Sequence, residues 1–203
     1  MINQIVVQNR INLYCADFND VPLPSTHLIY TDPPYARADA IPCYEQLAER
    51  APEVLVRGGS LLTIVPHYLL PECMEILTPA LKYRWQYIMD QSQGSHPRMA
   101  MGIEVMYKPM LHFVKDAYPS GRGFLRDMII IPEPQKDMHK WQQHEAWVEY
   151  YLLKLTEEGD TVVDPFMGTG TVGVVAKRNN RAFVGIDNDP EVFEIAEDRI
   201  CRE

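Results

Sequence analysis

The sequence has little of what marks several large classes of protein. No apolar run approaches the roughly eighteen residues that a membrane-spanning helix needs, and the first ten residues lack the basic-then-apolar pattern of a signal peptide. The four cysteines include no CxxC pair, and the six histidines show no ligand spacing around them. We therefore expect a cytoplasmic protein with no disulfide framework, no metal and no membrane contact.

Positive charge is also scarce. The 203 residues include 19 Lys and Arg against 28 Asp and Glu, a net charge of -9. This balance argues against nonspecific nucleic-acid binding, which requires basic side chains that displace counterions from phosphates. Residues 82–140 are an exception, with nine Lys and Arg against six Asp and Glu. A basic segment in the middle of an otherwise acidic chain is compatible with a surface that faces DNA.

Short apolar runs alternate with helical periodicity along most of the chain. Strands are predicted at residues 10–17, 27–31, 60–65, 83–89, 104–114, 161–163 and 182–186. Helices are predicted around residues 44–55, 71–77 and 146–155, after Gly170, and at 192–200. Pro52 is expected to kink or divide the first helix, and Gly58-Gly59 to turn into the following strand. The alternation indicates an α/β protein with a parallel, doubly wound sheet in a single domain.

A glycine-rich turn follows the strand at residues 161–163. It reads DPFMGTGT from Asp164 to Thr171, and Gly168 and Gly170 let the backbone approach a ligand beyond the carboxyl end of the strand. Asp187 ends the next strand, where a carboxylate can accept hydrogen bonds from both ribose hydroxyls of an adenosine. Asp164 and the ring of Phe166 would repel a pyrophosphate and attract an ammonium group. The turn therefore suits S-adenosylmethionine better than a dinucleotide.

A second motif, DPPY from Asp32 to Tyr35, follows the strand at residues 27–31. An aromatic exocyclic amine is a poor nucleophile, because its lone pair is delocalised into the ring, and two acceptors aimed at its hydrogens localise that pair on nitrogen. Asp32 offers a carboxylate and Pro33 a backbone carbonyl, and Pro33 and Pro34 hold both acceptors rigidly. Tyr35 supplies a face on which a base extruded from a duplex can stack. Taken alone, the tetrapeptide is equally compatible with a proline-stiffened loop that has no catalytic function.

The two motifs together resemble the amino-methyltransferases that methylate N6 of adenine or N4 of cytosine in DNA. Asp32 to Tyr35 matches the catalytic motif of that family, and Asp164 to Thr171 matches its cofactor motif. The catalytic motif comes first, as in the permuted class called beta. The resemblance thus implies a circularly permuted, Rossmann-like, S-adenosylmethionine-dependent methyltransferase domain over residues 1–203. It implies a mostly parallel sheet with a C-terminal antiparallel strand in the sheet order.

The resemblance also assigns site residues. It makes four residues catalytic: Asp32, Pro33, Pro34 and Tyr35. It gives cofactor contacts to eight more: Asp17, Phe18, Asp164, Phe166, Gly168, Gly170, Thr171 and Asp187. Within that set, Asp17 corresponds to the acid that contacts the cofactor adenine, with Phe18 packed beside it. Tyr107 resembles a position of the target-base pocket, although a buried strand tyrosine is equally expected.

The target is expected to be adenine in DNA, since a leading Asp at position 32 resembles the adenine-N6 version of the motif. Cytosine-N4 relatives more often begin it with Ser, and cytosine N4 is the alternative. Loop-rich residues 90–140 are expected to form a minimal target-recognition region with four candidate DNA contacts: Arg98, Arg122, Arg126 and Lys136. So short a region implies a short target, relaxed specificity or a homodimer, in a restriction-modification or orphan methylase.

Other classes stay open at this point. Gly168, Gly170 and Gly173 also match the GxGxxG pattern of nicotinamide-dependent oxidoreductases. A methyltransferase acting on RNA or on a protein glutamine could share the proline motif, although those relatives more often read Asn-Pro-Pro-Tyr or Asp-Pro-Pro-Trp. A noncatalytic DNA-binding subunit is a further alternative, against which the intact motifs at both ends argue.

Overall fold

One mixed β-sheet organises the computed structural model, which describes residues 3–6, 10–91, 102–121, 123–130 and 144–203. In these ranges the sheet has nine strands: β1 Asn3–Val6, β2 Ile11–Cys15, β3 Thr26–Thr31, β4 Leu55–Ile64, β5 Lys82–Asp90, β6 Tyr107–Val114, β7 Met128–Ile129, β8 Thr161–Asp164 and β9 Ala182–Asp187. Their order across the sheet is β1-β2-β9-β8-β3-β4-β6-β5-β7. The predicted α/β class is therefore confirmed.

Helices cover both faces of the sheet. The described α-helices are α1 Arg37–Val54, α2 Leu70–Leu77, α3 Glu145–Leu155, α4 Thr171–Arg178 and α5 Pro190–Arg202. Neighbouring residues of β3 point to opposite faces: Leu28 joins the core under α3, α4 and α5, and Ile29 joins the core under α1 and α2. Burial on both faces explains why the central strands are continuously apolar. Within the described ranges, no helix has the length and hydropathy needed to cross a membrane.

Strand direction follows from the chain path. The pairs β2/β9, β9/β8, β8/β3 and β3/β4 are parallel, and β6 runs antiparallel to both β4 and β5. Antiparallel strands are therefore present, but they are β6 and the edge strand β1, which runs antiparallel to β2, and not a strand at the C-terminal end. Strand β9, the last in the chain, is parallel to both neighbours; helix α4 connects it to β8 and returns the chain to the same end of the sheet. Strand β6 is antiparallel because the chain returns between β4 and β5.

The two ends of the chain meet in the sheet. Ile11 of β2 lies opposite Phe183 of β9, and Cys15 lies opposite Asp187. Likewise β3, which precedes the DPPY motif, pairs with β8, which precedes the cofactor motif. The order of motifs along the sequence is thus reversed without disturbing their neighbourhood in space, as a circular permutation requires.

Helix α1 and strand β4 differ from the sequence prediction. Helix α1 begins at Arg37, just past the DPPY motif, and continues to Val54 with Pro42 and Pro52 inside it. Pro52 lies in the last turn and so does not divide the helix. Strand β4 already starts at Leu55, and Gly58-Gly59 lies within it at a register irregularity against β3, not in a turn before it. The helix therefore passes directly into the strand.

Candidate active site

The two sequence motifs lie side by side at the carboxyl ends of neighbouring strands. Strand β3 ends at Thr31, just before Asp32, and β8 ends at Asp164. Thr31 Oγ1 donates a buried hydrogen bond of 2.8 Å to Asp164 Oδ1. This bond joins segments that are 133 residues apart in the sequence. Ligands of open α/β sheets bind at this edge, so the fold places both motifs where a site is expected.

Two carboxylates shape the turn after β8. Phe166 N donates to Asp164 Oδ1 at 3.2 Å, and Gly168 N donates to Asp187 Oδ2 at 2.9 Å. The other oxygen of Asp187 accepts from Asp189 N at 3.0 Å. Asp164 and Asp187 end the paired strands β8 and β9, so the sheet itself holds the two carboxylates on either side of the turn.

Glycine is required at two positions, one in the turn and one in helix α4, for two different reasons. Gly170 caps α4 with a φ of +78°, and an added Cβ would lie 3.0 Å from Cβ of Ala196. Gly173, the third glycine of the GxGxxG pattern, lies inside α4, where a Cβ would overlap Cδ1 of Ile200 in α5. Helix packing therefore accounts for Gly173, and the pattern carries no separate evidence for a dinucleotide.

Two adjoining cavities open beside the motifs. The first, here called the α1 cavity, measures about 570 Å³ and lies between α1 and the turn; its lining includes Asp17, Phe18, Cys43, Phe166, Gly168 and Asp187. The second, the β6 cavity, measures about 360 Å³ and lies between the DPPY loop and the turn; its lining includes Asp32, Tyr35, Lys108, Asp164, Thr171 and Val192. Both are lined by Asp32, Pro34, Phe166 and Gly168, so the two cavities adjoin along these residues. Their sizes suit small-molecule sites.

The α1 cavity is acidic. Among the described residues that line it, four are aspartates and none is Lys or Arg: Asp17, Asp32, Asp39 and Asp187. Phe18 and Phe166 meet edge to face, with 5.8 Å between ring centroids, and add an apolar wall. A lining of this kind attracts a cation and repels phosphate. S-adenosylmethionine, a cationic adenosine compound without phosphate, fits these residues, and a pyrophosphate-linked dinucleotide does not.

Burial changes the protonation of two carboxyl groups in the site. It raises the pKa of Asp164 to about 8, with the nearby carboxylates of Asp187 and Asp32 adding to the rise and the hydrogen bonds from Thr31 and Phe166 opposing it. Burial also raises the pKa of Asp187, against the hydrogen bonds from backbone N–H groups. Such shifts are frequent at functional sites, where burial and neighbouring charges change the pKa of ionisable groups. A positively charged ligand would favour the ionised form of both groups.

Two side chains outside the motif hold the DPPY loop. Tyr68, which follows β4, donates its hydroxyl hydrogen to the carbonyl oxygen of Tyr35 at 2.6 Å. Lys108 of β6 places Nζ 3.2 Å from Asp32 Oδ2 and 4.9 Å from the centroid of the Tyr35 ring. Burial, with the Asp32 carboxylate as the next cause, raises the pKa of Tyr35 well above its ordinary value. Tyr68 therefore fixes the backbone of Tyr35, and Lys108 lies over its neutral ring.

The structure brings the predicted catalytic and cofactor residues together. All four catalytic residues line the β6 cavity, and every predicted cofactor residue except Gly170 lines one cavity or the other. Gly170 contributes through the shape of the turn instead. Asp17 Oδ1 accepts a hydrogen bond of 2.8 Å from Asn19 N and so also caps a short 3-10 turn at Phe18–Asp20. The roles assigned to these residues remain predictions.

The predicted substrate contacts are not gathered in this way. Tyr107 packs its ring edge to face on His67, with 4.6 Å between centroids, and the next residue, Lys108, lines the β6 cavity. Arg126 is exposed and lines a different surface cavity, beside Arg84 and Trp85. Three more predicted contacts lie outside the described residues: Arg98, Arg122 and Lys136.

Sequence reasoning missed Lys108 and Tyr68. Alternation along β6 places Tyr107 and Lys108 on opposite faces, which is a signal that one of them faces the site. The pattern does not say which, because that depends on how β6 pairs with β4 and β5. Tyr68 gives no signal at all, since its hydrogen bond is to a backbone carbonyl in a distant loop.

Comparison with known proteins points to one family. A profile of the N6/N4 methylase family, described as "DNA methylase", matches residues 126–198. Type II methyltransferase M2.DpnII from Streptococcus pneumoniae is 48% identical over 62 residues, which cover 30% of this chain and 23% of that protein. DNA adenine methyltransferase YhdJ from Escherichia coli (strain K12) is 25% identical over 89% of this chain and 78% of the relative. The chain thus matches less than a quarter of the length of M2.DpnII.

Solved structures share the fold. The M1.HpyAVI complex with S-adenosylmethionine superposes with a TM-score of 0.74 at 22% identity, covering 93% of this chain and 98% of that one. The cytosine-N4-specific PvuII DNA methyltransferase superposes with a TM-score of 0.78 at 16% identity, and the match covers 94% of this chain and 86% of that one. The fold is shared with these structures, and the profile and the relatives confirm the resemblance that the two motifs carry to the DNA amino-methyltransferases, the N6-adenine and N4-cytosine methylases.

Proposed function

We propose that this protein transfers a methyl group from S-adenosylmethionine to N6 of adenine in DNA. The observation that carries the proposal is the hydrogen bond between Thr31 and Asp164, because it fixes the amine-holding motif beside the cofactor turn. Adenine is favoured by the leading Asp32 and by the similarity to the Escherichia coli protein named a DNA adenine methyltransferase. Cytosine N4 is the second candidate, since the fold is shared with a cytosine-N4-specific enzyme.

The cofactor is assigned to the α1 cavity and to the turn that separates it from the β6 cavity. Asp187 would hold the ribose hydroxyls, Asp17 the adenine amine, and Phe18 and Phe166 the apolar surfaces. Asp164 supplies negative charge toward the β6 cavity. Bound there, S-adenosylmethionine supplies a methyl group made electrophilic by the positively charged sulfur.

The DPPY loop acts on the target amine. The carboxylate of Asp32 and the carbonyl oxygen of Pro33 accept the two amine hydrogens and localise the lone pair on nitrogen. The base, extruded from the duplex, stacks on Tyr35, which is neutral and held in place by Tyr68. The nitrogen then displaces the sulfur in a single in-line step, and the surplus proton leaves through Asp32 to water. Positioning and electrostatics supply the catalysis, with no covalent intermediate.

Product identification tests this proposal. The protein is incubated with S-adenosylmethionine labelled in its methyl group and with unmethylated DNA, and the DNA is digested to nucleosides and chromatographed. Label in N6-methyldeoxyadenosine is expected, whereas label in N4-methyldeoxycytidine would replace adenine by the second candidate. A parallel RNA substrate is the control: label in RNA but not in DNA would overturn the substrate class. No transfer by folded protein that binds the cofactor would overturn the activity.

A further inference from the structure

We infer that Lys108 is a positioning residue for the target amine, which fixes the Asp32 carboxylate and one face of the Tyr35 ring. The inference rests on the proposed function, since it concerns how the amine is held. Neither sequence motif contains this lysine.

The ammonium group of Lys108 contacts two members of the DPPY loop at once. Its Nζ lies 3.2 Å from Asp32 Oδ2 and 4.9 Å from the centroid of the Tyr35 ring. The two side chains of the ion pair are only 22% and 16% exposed, so water screens the contact weakly. Among the described residues that line the β6 cavity, Lys108 is the only basic one. Lys108 therefore supplies the positive charge that pairs with Asp32, in a cavity that is also lined by Asp164.

Lys108 stands on a rigid part of the fold. Strand β6 lies between β4 and β5, with Lys108 opposite Met89. Val65 N also donates to the carbonyl oxygen of the next residue, Pro109, at 3.0 Å. A side chain based on an internal strand can hold a loop group in one orientation better than a side chain from another loop can. The sheet thereby determines where the Asp32 carboxylate points.

Lys108 and the substrate are expected to contact different parts of the DPPY loop. Lys108 contacts Oδ2 of Asp32 and so orients the carboxylate that, together with the carbonyl of Pro33, is to accept from the target amine. Lys108 also lies over one face of the Tyr35 ring, which assigns the opposite face to the extruded base. With both groups fixed in this way, the amine meets its two acceptors in a single orientation. A displacement of about 1 Å in such a group can cost on the order of 100-fold in rate.

Steady-state methylation kinetics of Lys108→Met, with Lys108→Arg as the conservative variant, test the inference. We expect Lys108→Met to lower kcat by about 10- to 100-fold. Cofactor affinity, the KM for DNA and the salt dependence of DNA binding should stay close to those of the wild type. Lys108→Arg retains the charge and should recover activity relative to Lys108→Met. A structural defect alone would not lower kcat while leaving the KM for DNA unchanged. Nor would activity then depend on whether the residue at position 108 is charged.

The matched control is Lys115→Met. Lys115 follows β6 directly, and its Nζ donates to the carbonyl oxygen of Leu55 at 2.7 Å, outside the residues that line either cavity. This variant should keep the wild-type kcat. Thermal unfolding is measured for every variant, and Lys108→Gln replaces Lys108→Met if the latter does not fold.

Two results would overturn the role of Lys108. One is an unchanged kcat in Lys108→Met. The other is a raised KM for DNA at unchanged kcat, with the slope of log affinity against log salt smaller by about one, because that pattern describes a phosphate contact. Both require that the wild type methylates DNA. Absence of transfer by the wild type would instead contradict the proposed function, so the two failures are distinguishable.

Discussion

Asp164 is the residue on which the site depends most. Its carboxyl group is buried, and one oxygen accepts hydrogen bonds from both Thr31 and Phe166. With its pKa raised to about 8, mainly by burial, the group is mostly neutral at pH 7 when no ligand is bound. A buried carboxyl group without a counter-charge costs stability once it ionises. Its presence is explained if the site receives a positively charged ligand.

Cofactor affinity should therefore depend on pH. A bound cation stabilises ionised Asp164, so binding releases a proton wherever the free protein holds one, which is below about pH 8. We expect the affinity for S-adenosylmethionine to rise from pH 6 to pH 7.5 by up to about tenfold per pH unit. The range ends there because an α-amino group loses its own proton near pH 8. Calorimetry in two buffers of different ionisation enthalpy measures both the affinity and the released proton.

Asp164→Asn is the control for this prediction. The variant should bind the cofactor more weakly, and its affinity should rise less with pH than that of the wild type, because Asp187, whose pKa is also raised, is still present. In the wild type without ligand, the folded pKa of Asp164 lies above the ordinary value of 3.8, so its stabilising contribution is complete below pH 4 and is lost as pH rises through about 8. The variant should therefore unfold at a higher temperature than the wild type at pH 8. A pH-independent affinity in the wild type would contradict the role of Asp164.

At the level of elements, the turn depends on close contact between α4 and α5. Gly173 of α4 leaves no room for a Cβ, which would overlap Cδ1 of Ile200 and lie 2.7 Å from Cε1 of Phe183. The first turn of α4 follows Gly170 directly, so the position of this helix sets the position of the cofactor turn. Packing between two helices is thus part of the site.

Gly173→Ala should destabilise the protein by about 1–3 kcal/mol through overpacking. For a chain of this length, each kcal/mol lowers the unfolding midpoint by about 2–4 °C, which calorimetry detects. The double variant Gly173→Ala/Ile200→Val should recover part of the loss, because Val lacks the overlapping Cδ1. Ile200→Val alone is the reference for that comparison. A Gly173→Ala protein as stable as the wild type would show that α4 and α5 pack loosely.

Much of the element order was predictable from the sequence. Strands β2, β3, β8 and β9 are short apolar runs, each followed or ended by an aspartate, and this pattern located both halves of the site. The antiparallel insertion of β6 between β4 and β5 was not predictable, because periodicity contains no information on which strands pair. Lys108 was missed for the same reason, since its approach to Asp32 follows from that pairing. Helix α1 was predicted to start later than it does, because apolar spacing becomes regular only at Tyr44.

For the whole molecule, the permutation has a simple geometric basis. Strands β2 and β9, near opposite ends of the described chain, are neighbours in the sheet. Chain ends on adjacent strands can be joined, and the chain opened elsewhere, without moving the core. The motifs at Asp32 and Asp164 therefore exchange their order along the sequence while the Thr31–Asp164 contact between their strands is kept.

Charge is distributed across the molecule in keeping with the proposed function. The chain carries a net charge of -9, and the α1 cavity is lined by aspartates, which suits a cationic cofactor better than a nucleic acid. DNA contact is therefore expected from residues 82–140, which together carry an excess of positive charge. The target-recognition role of residues 90–140, the homodimer and the cytoplasmic location all remain predictions.

In the proposed site, the segment after β3 holds the amine and the segment after β8 holds the cofactor, so the two ends of the chain build separate halves of one site. Asp32→Ala tests this division most directly, with cofactor binding measured by calorimetry and methyl transfer to DNA measured with labelled S-adenosylmethionine. We expect the variant to be folded and to bind the cofactor with an affinity close to that of the wild type, while methyl transfer is abolished. Methyl transfer at the wild-type rate by Asp32→Ala would contradict the assignment of Asp32 to the target amine.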